Sequence, residues 1–212
     1  MSIKYTRYKL NSQLIVKDKI IHDDWEKIDL PKIDMEVKKQ AGKVVLFKLT
    51  GDDFPTLDQI KETQIPSSGK IILPLKVYLL HKDELKDRLN KGEIAIWVLS
   101  HEEIGSHLNE LGDLNQFPLI AVHIDKFADG RIFSIATQLR INFKFKNELR
   151  ALGDILMDQL YFLKRCGYTS YLIRSDRNAN QALKSLSDFS EPYQGAFDIH
   201  EPVWRRKSRK SR

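Results

Sequence analysis

From Lys70 to Phe189 the chain repeatedly alternates between a short apolar run and a stretch whose apolar residues recur at helical spacing. Parallel strands need a crossover of a dozen or more residues, and a helix is the usual one. Alternation of this kind therefore points to an α/β sheet with right-handed crossovers. A closed barrel would need eight such units, and they are not found. The expected fold is α/β, with repeated βα units forming a parallel sheet or a partial β/α barrel.

The strand runs are 70–73, 93–99 (EIAIWVL), 119–124, 148–152 and 169–173. Helical spacing predicts helices over 75–90, from Ser100 through Leu111, from Arg131 to about Arg140, over 155–166, and to about Phe189. Ser100 with Glu103 reads as a capping box, Asp154 as an N-cap, and Gly167 as the residue after a helix end. Asn178 with Gln181 caps the last helix. The first third is β-rich: a hairpin of 13–16 and 19–21 around Lys17-Asp18, then the apolar run Lys43 to Leu49, then a loop over 56–69. The organisation expected is a β-rich N-terminal region (1–69), a βα-repeat domain (70–190), and a C-terminal extension (191–212) with a disordered basic tail.

The net charge is +6, yet Arg205, Arg206, Lys207, Arg209, Lys210 and Arg212 supply it. Removing those six from 35 Lys+Arg leaves 29 against 29 Asp+Glu. A formally neutral body lacks the cationic face that phosphate backbones require, so nucleic acid is not an expected partner. Cys166 is the only cysteine. It cannot close an internal disulfide, hold a four-cysteine cluster or form a Cys-x-x-Cys pair. No apolar run approaches the roughly 20 residues of a membrane helix, and no signal-peptide core is evident. A cytoplasmic protein with no membrane partner is expected.

Polar groups at the carboxyl ends of parallel strands are where such folds place ligands. Asp129-Gly130-Arg131 follows one strand, and Arg131 falls in a first helical turn, where cations are disfavoured. An anion held jointly by Arg131 and the helix start would explain that placement, with pairing to Asp129 or Asp125 as the alternative. Ser134 lies one turn on. Gly153-Asp154 follows the next strand, and Asp154 is placed to orient Arg131 or Arg174. The candidate ligand-binding set is Asp129, Gly130, Arg131, Ser134, Arg150, Gly153, Asp154 and Arg174. Ser134, His123 and Asp125 do not form a hydrolase site, because no strained nucleophile elbow surrounds the serine. The six histidines show no metal spacing, and there is neither a dinucleotide fingerprint nor a P-loop. No metal and no cofactor are expected.

The run FADGRIFSIATQLR, with ELRALGDILMDQLYFLKRCGY after it, resembles a bacterial family of unknown function often labelled as oxidoreductases involved in sulfite reduction. The matching positions are Phe127, Asp129, Gly130, Arg131, Phe133 and Ser134. They continue through Glu148, Leu149, Arg150, Ala151, Gly153 and Asp154 to Asp158, Gln159, Arg165, Cys166 and Gly167. Ile132 departs from the pattern, which usually has glycine there. The resemblance implies an association with sulfate assimilation; together with the missing redox apparatus it leads to an expected accessory role in assimilatory sulfite reduction, beside sulfite reductase or another sulfate-assimilation enzyme, with the small anion suggested by Arg131. The alternative is a small-molecule enzyme of partial-barrel type acting on a phosphorylated or sulfur-oxyanion substrate. No residue here supplies the redox apparatus that the oxidoreductase label calls for.

Overall fold

The computed structural model describes residues 13–30 and 55–206. The run 43–49 and the basic residues 207–212 lie outside them. Among the described residues, eight strands form one sheet: β1 (Gln13–Val16), β2 (Lys19–His22), β3 (Glu26–Lys27), β4 (Ile71–Pro74), β5 (Ile94–Leu99), β6 (Leu119–Ile124), β7 (Glu148–Gly153) and β8 (Ser170–Leu172). Their order is β2-β1-β8-β7-β6-β5-β4-β3. Strands β3 to β8 run parallel in sequence order, while the β1–β2 hairpin joins β8 antiparallel.

This order carries a geometric consequence. Strands β2 and β3 stand at opposite edges, yet only Asp23, Asp24 and Trp25 join them. Seven interstrand spacings would separate the edges of a flat sheet by about 34 Å. Four residue steps span at most about 14 Å. The sheet must therefore curl until its edges approach, and it forms a partial barrel.

The helices cover the outside. They are α1 (Leu57–Lys61), α2 (Leu75–Asn90), α3 (Leu108–Leu111), α4 (Arg131–Thr137), α5 (Met157–Cys166) and α6 (Ala179–Ser185). Every residue of β5 and β6 is buried. Strands covered on both faces read as continuous apolar runs, which is why their sequences do not alternate. Registered neighbours share a face, so Trp97, Ala121, Arg150 and Ser170 form one inward layer, and Leu99, His123, Leu152 and Leu172 the next. Ala121 sits between Trp97 and Arg150, where a small side chain leaves room for two large ones.

Helix boundaries differ from expectation in ways the hydrogen bonds explain. Helix α4 stops at Thr137 and passes into a π-helical turn over Gln138–Asn142. Buried Arg140 lies in that turn and donates to the carbonyls of Gly167 (2.9 Å), Phe145 (2.8 Å) and Asn147 (2.8 Å). Gly167 has φ +110° at the end of α5, as its position implied, and a Cβ there would strike Arg140. Arg165 reaches the C-terminal extension through Asp198 (3.4 Å) and the Gln194 carbonyl (2.6 Å). Arg205 and Arg206, expected in a disordered tail, belong to a short turn, and Arg206 donates to the carbonyls of Glu201 and Pro192.

The amino-terminal end of the barrel is closed by ions. Arg150, 1% exposed, donates to both oxygens of Asp23 (2.9 and 2.8 Å) and twice to Glu148 (3.0 and 2.8 Å). Ser170 adds a hydroxyl donor to Glu148 at 2.5 Å. Asp23 belongs to the link between the sheet's edges, so Arg150 ties that link to the middle of the sheet. Removing the guanidinium leaves the nearly buried Asp23 carboxylate, and the half-buried Glu148, without their cation. Arg150→Ala is expected to cost about 3–5 kcal/mol in urea denaturation at neutral pH; a loss below about 1 kcal/mol would contradict this role.

Candidate functional site

The loops after β6, β7 and β8 meet at the carboxyl-terminal mouth of the barrel. Asp154 joins them: one carboxylate oxygen accepts the Phe127 N–H (3.2 Å) and the other an Arg174 Nη1 hydrogen (2.9 Å). Gln159 ties the same corner by donating to the Phe127 carbonyl at 2.8 Å. Arg174 grips Asp176 with Nε (2.9 Å) and Nη2 (2.7 Å). Gly153 makes the junction possible. Its φ is +110°, and a Cβ would stand 2.2 Å from the Ile124 carbonyl oxygen of the neighbouring strand. Asp154 is thus not an N-cap. Helix α5 begins at Met157, and the Leu156 N–H donates to Gln159 Oε1 (3.1 Å).

Asp129 organises the second half of the rim. It takes Arg131 side-on, from Nε at 2.8 Å and Nη2 at 2.7 Å, and also the Arg131 backbone N–H and the Ser100 hydroxyl at 2.5 Å. Arg131 first, then Ser100, hold the Asp129 carboxyl down to about 2. Ser100 therefore reaches across to the next loop instead of capping a helix. Glu102, not Glu103, accepts the Leu99 N–H (2.9 Å). Gly130 does not use its special freedom: φ is −71° and ψ −7°, and a Cβ would meet nothing within 4 Å. Ser134 is exposed on α4. Ile132 is fully buried and its carbonyl accepts the Tyr168 hydroxyl (3.0 Å), so core packing accounts for the departure from glycine.

Of the candidate set, the structure gathers Asp129, Arg131, Gly153, Asp154 and Arg174 at one rim. It places Arg150 elsewhere. Three residues before the end of β7, its side chain lies about 10 Å below the mouth, with its hydrogen bonds given to Asp23 and Glu148.

A set of groups the motifs do not mark lies inside the mouth. Lys27 extends from β3 over the Trp97 ring, with Nζ 4.1 Å from the centroid, and pairs with Asp29. Trp97 is fixed by its Nε1 hydrogen bond to the Ile28 carbonyl (2.8 Å) and meets the His123 ring edge to face at 5.5 Å. His123, 3% exposed, points Nδ1 toward Asp125 Oδ1 at 3.5 Å. Neither atom has a hydrogen-bond partner among the described residues. Burial lowers the Lys27 amine despite Asp29 and raises the Asp125 carboxyl. His123 and Asp125 share a side of the strand, which the sequence implies. Lys27 is brought to them only by sheet register, and no local signal marks it.

The arrangement is that of a partial β/α barrel with a charged mouth at its carboxyl end. The model of a family described as a bacterial protein of unknown function (DUF934) matches residues 95–204, 110 of the 212. The chain belongs to this family. Searches of curated proteins and of solved structures return no match. Among the described residues, no helix is long and apolar enough to cross a membrane, and no cluster of three or more His, Cys, Asp or Glu is placed to hold a metal.

Burial first, and then the Lys27 charge, hold His123 well below its ordinary 6.5, so it is neutral in the folded protein. The unfolded imidazole takes a proton near 6.5 that the folded one refuses. The His123 contribution is therefore complete above 6.5 and lost progressively below it. His123→Phe, which keeps a ring against Trp97, is expected to flatten the fall in urea midpoint between about pH 7 and pH 5. An unchanged slope would contradict a neutral buried imidazole.

Proposed function

We propose that this chain is a cytoplasmic accessory protein of assimilatory sulfite reduction that works through contact with sulfite reductase. The association comes from the motif resemblance. The observation that supports contact, and not chemistry, by the motif is where its residues are used. Asp129 holds Arg131, Glu148 holds Arg150, Asp154 holds Arg174, and Arg165 binds the extension. A free sulfite or phosphate would have to displace a carboxylate from each guanidinium. The family-matched span also presents aromatic side chains to solvent. Phe162 (51% exposed) and Phe189 (56%) gather with Tyr161, and Tyr193 packs at a tilt against exposed Trp204 with 4.9 Å between centroids. Exposed aromatic groups of this kind favour protein association.

Tagged protein from sulfate-grown cells is expected to enrich sulfite-reductase subunits, and Phe162→Glu with Phe189→Glu to lower that enrichment at least tenfold. A deletion strain should fail on sulfate and recover with cysteine. No enrichment even after crosslinking, with normal growth on sulfate, would overturn the proposal.

A second reading is a small-molecule enzyme. The unpartnered, facing atoms of His123 and Asp125 beside a buried lysine favour it. A phosphorylated or sulfur-oxyanion substrate would then meet Arg131 and Arg174 at the rim.

A further inference from the structure

The interior of the mouth contains a primary amine in surroundings unlike those of a structural surface lysine. Lys27 keeps 10% of its side-chain surface, lies over the face of Trp97 and is bound to Asp29. A cation in this position is stabilised by the ring's negative face and by one carboxylate. Both stabilisers act on charge, not on the number of N–H bonds. An iminium, R–NH⁺=C, would keep them, whereas an amide or an uncharged adduct would lose them.

The neighbours supply what imine formation needs. The amine must first lose a proton, and Asp29 is in contact to take it. Neutral His123 and, beside it, Asp125 stand at the strand end with Nδ1 and Oδ1 unsatisfied. A water or hydroxyl between or beside them would gain hydrogen bonds that the protein alone does not provide. Carbinolamine dehydration generates such a water.

We propose that Lys27 is an imine-forming residue and that the barrel mouth takes a small aldehyde or ketone. This rests on the second reading, that the mouth handles a small molecule. The neutral Nζ attacks the carbonyl carbon, a C–N bond forms, and the carbonyl π electrons become an alkoxide that takes a proton from the attacking nitrogen. The resulting hydroxyl takes the proton that Asp29 removed from the ammonium, the C–O bond breaks to release water, and the nitrogen lone pair closes C=N. No electrons are gained or lost overall, and the product is an iminium facing Asp29 and Trp97. General acid–base help of this type falls to side chains within hydrogen-bond reach of the moving proton.

The test uses the full chain with glycolaldehyde or glyoxylate, reduced by cyanoborohydride, which donates hydride to C=N and leaves a stable secondary amine. Peptide mapping by mass spectrometry locates the adduct, and His123 imidazole NMR signals report occupancy of the mouth. Lys27→Arg keeps a cation for Asp29 and Trp97 but cannot form an imine, so it controls for folding. The expected result is labelling at Lys27 at least tenfold above any other lysine, and its loss in Lys27→Arg. Shifted His123 signals with Lys27 unlabelled would overturn the imine while leaving the mouth a ligand site. Unshifted signals with labelling scattered over surface lysines would overturn the imine and the second reading together. The neutral and anionic probes distinguish a plain aldehyde from an oxo acid.

Discussion

Arg150 and its grip on Asp23 determine whether the sheet can be the shape it is. Eight strands in this order have distant edges, and the three-residue link between β2 and β3 makes that distance impossible unless the sheet curls. Curling turns one face inward, where helices cannot cover it, and inward residues must fill the space themselves. Trp97 and Leu152 do so with apolar volume. At the amino-terminal end a cation and two carboxylates do it instead, at a desolvation cost that only complete pairing offsets. The link between the edges is thereby fastened to the strand farthest from conflict with either edge.

The mouth follows from that closure. Lys27 sits on the edge strand that the link positions, and its approach to Trp97 depends on β3 lying in register with β4. The rim has a different origin. Asp154 and Asp129 each collect donors from a neighbouring loop, so the loops after β5, β6, β7 and β8 hold one another. Gly153 and its close approach to Ile124 set the path of one of them. Motif residues thus build the mouth, while the groups with unsatisfied atoms lie within it.

Much of this was legible in the chain. Strands buried on both faces declare themselves as apolar runs, so β5 and β6 are legible within a residue or two, β7 is legible despite Glu148 and Arg150, and the hairpin is marked by its turn. Strand β3 is not, because two residues at a sheet edge carry no period and Glu26-Lys27 carry no apolar signal. Ser100 and Asp154 have the sequence signature of caps, because a small polar residue after a strand looks the same whether it bonds to the next helix or to the next loop. Only three-dimensional neighbours decide between them. Arg150 stands in the candidate ligand-binding set, whereas its depth follows from its position within β7. Lys27 could not be found from sequence, since apart from Asp29 its neighbours Trp97 and His123 belong to β5 and β6 and no spacing rule links them.

A double-mutant cycle between Asp23 and Arg150, using Asp23→Asn and Arg150→Met, tests the closure most directly. If the ion pair holds the edge link to the sheet, the two losses in unfolding free energy should be strongly non-additive, with a coupling of about 2 kcal/mol or more. Additivity within about 0.5 kcal/mol would mean that the two residues do not sense each other and that the curl is maintained by something else.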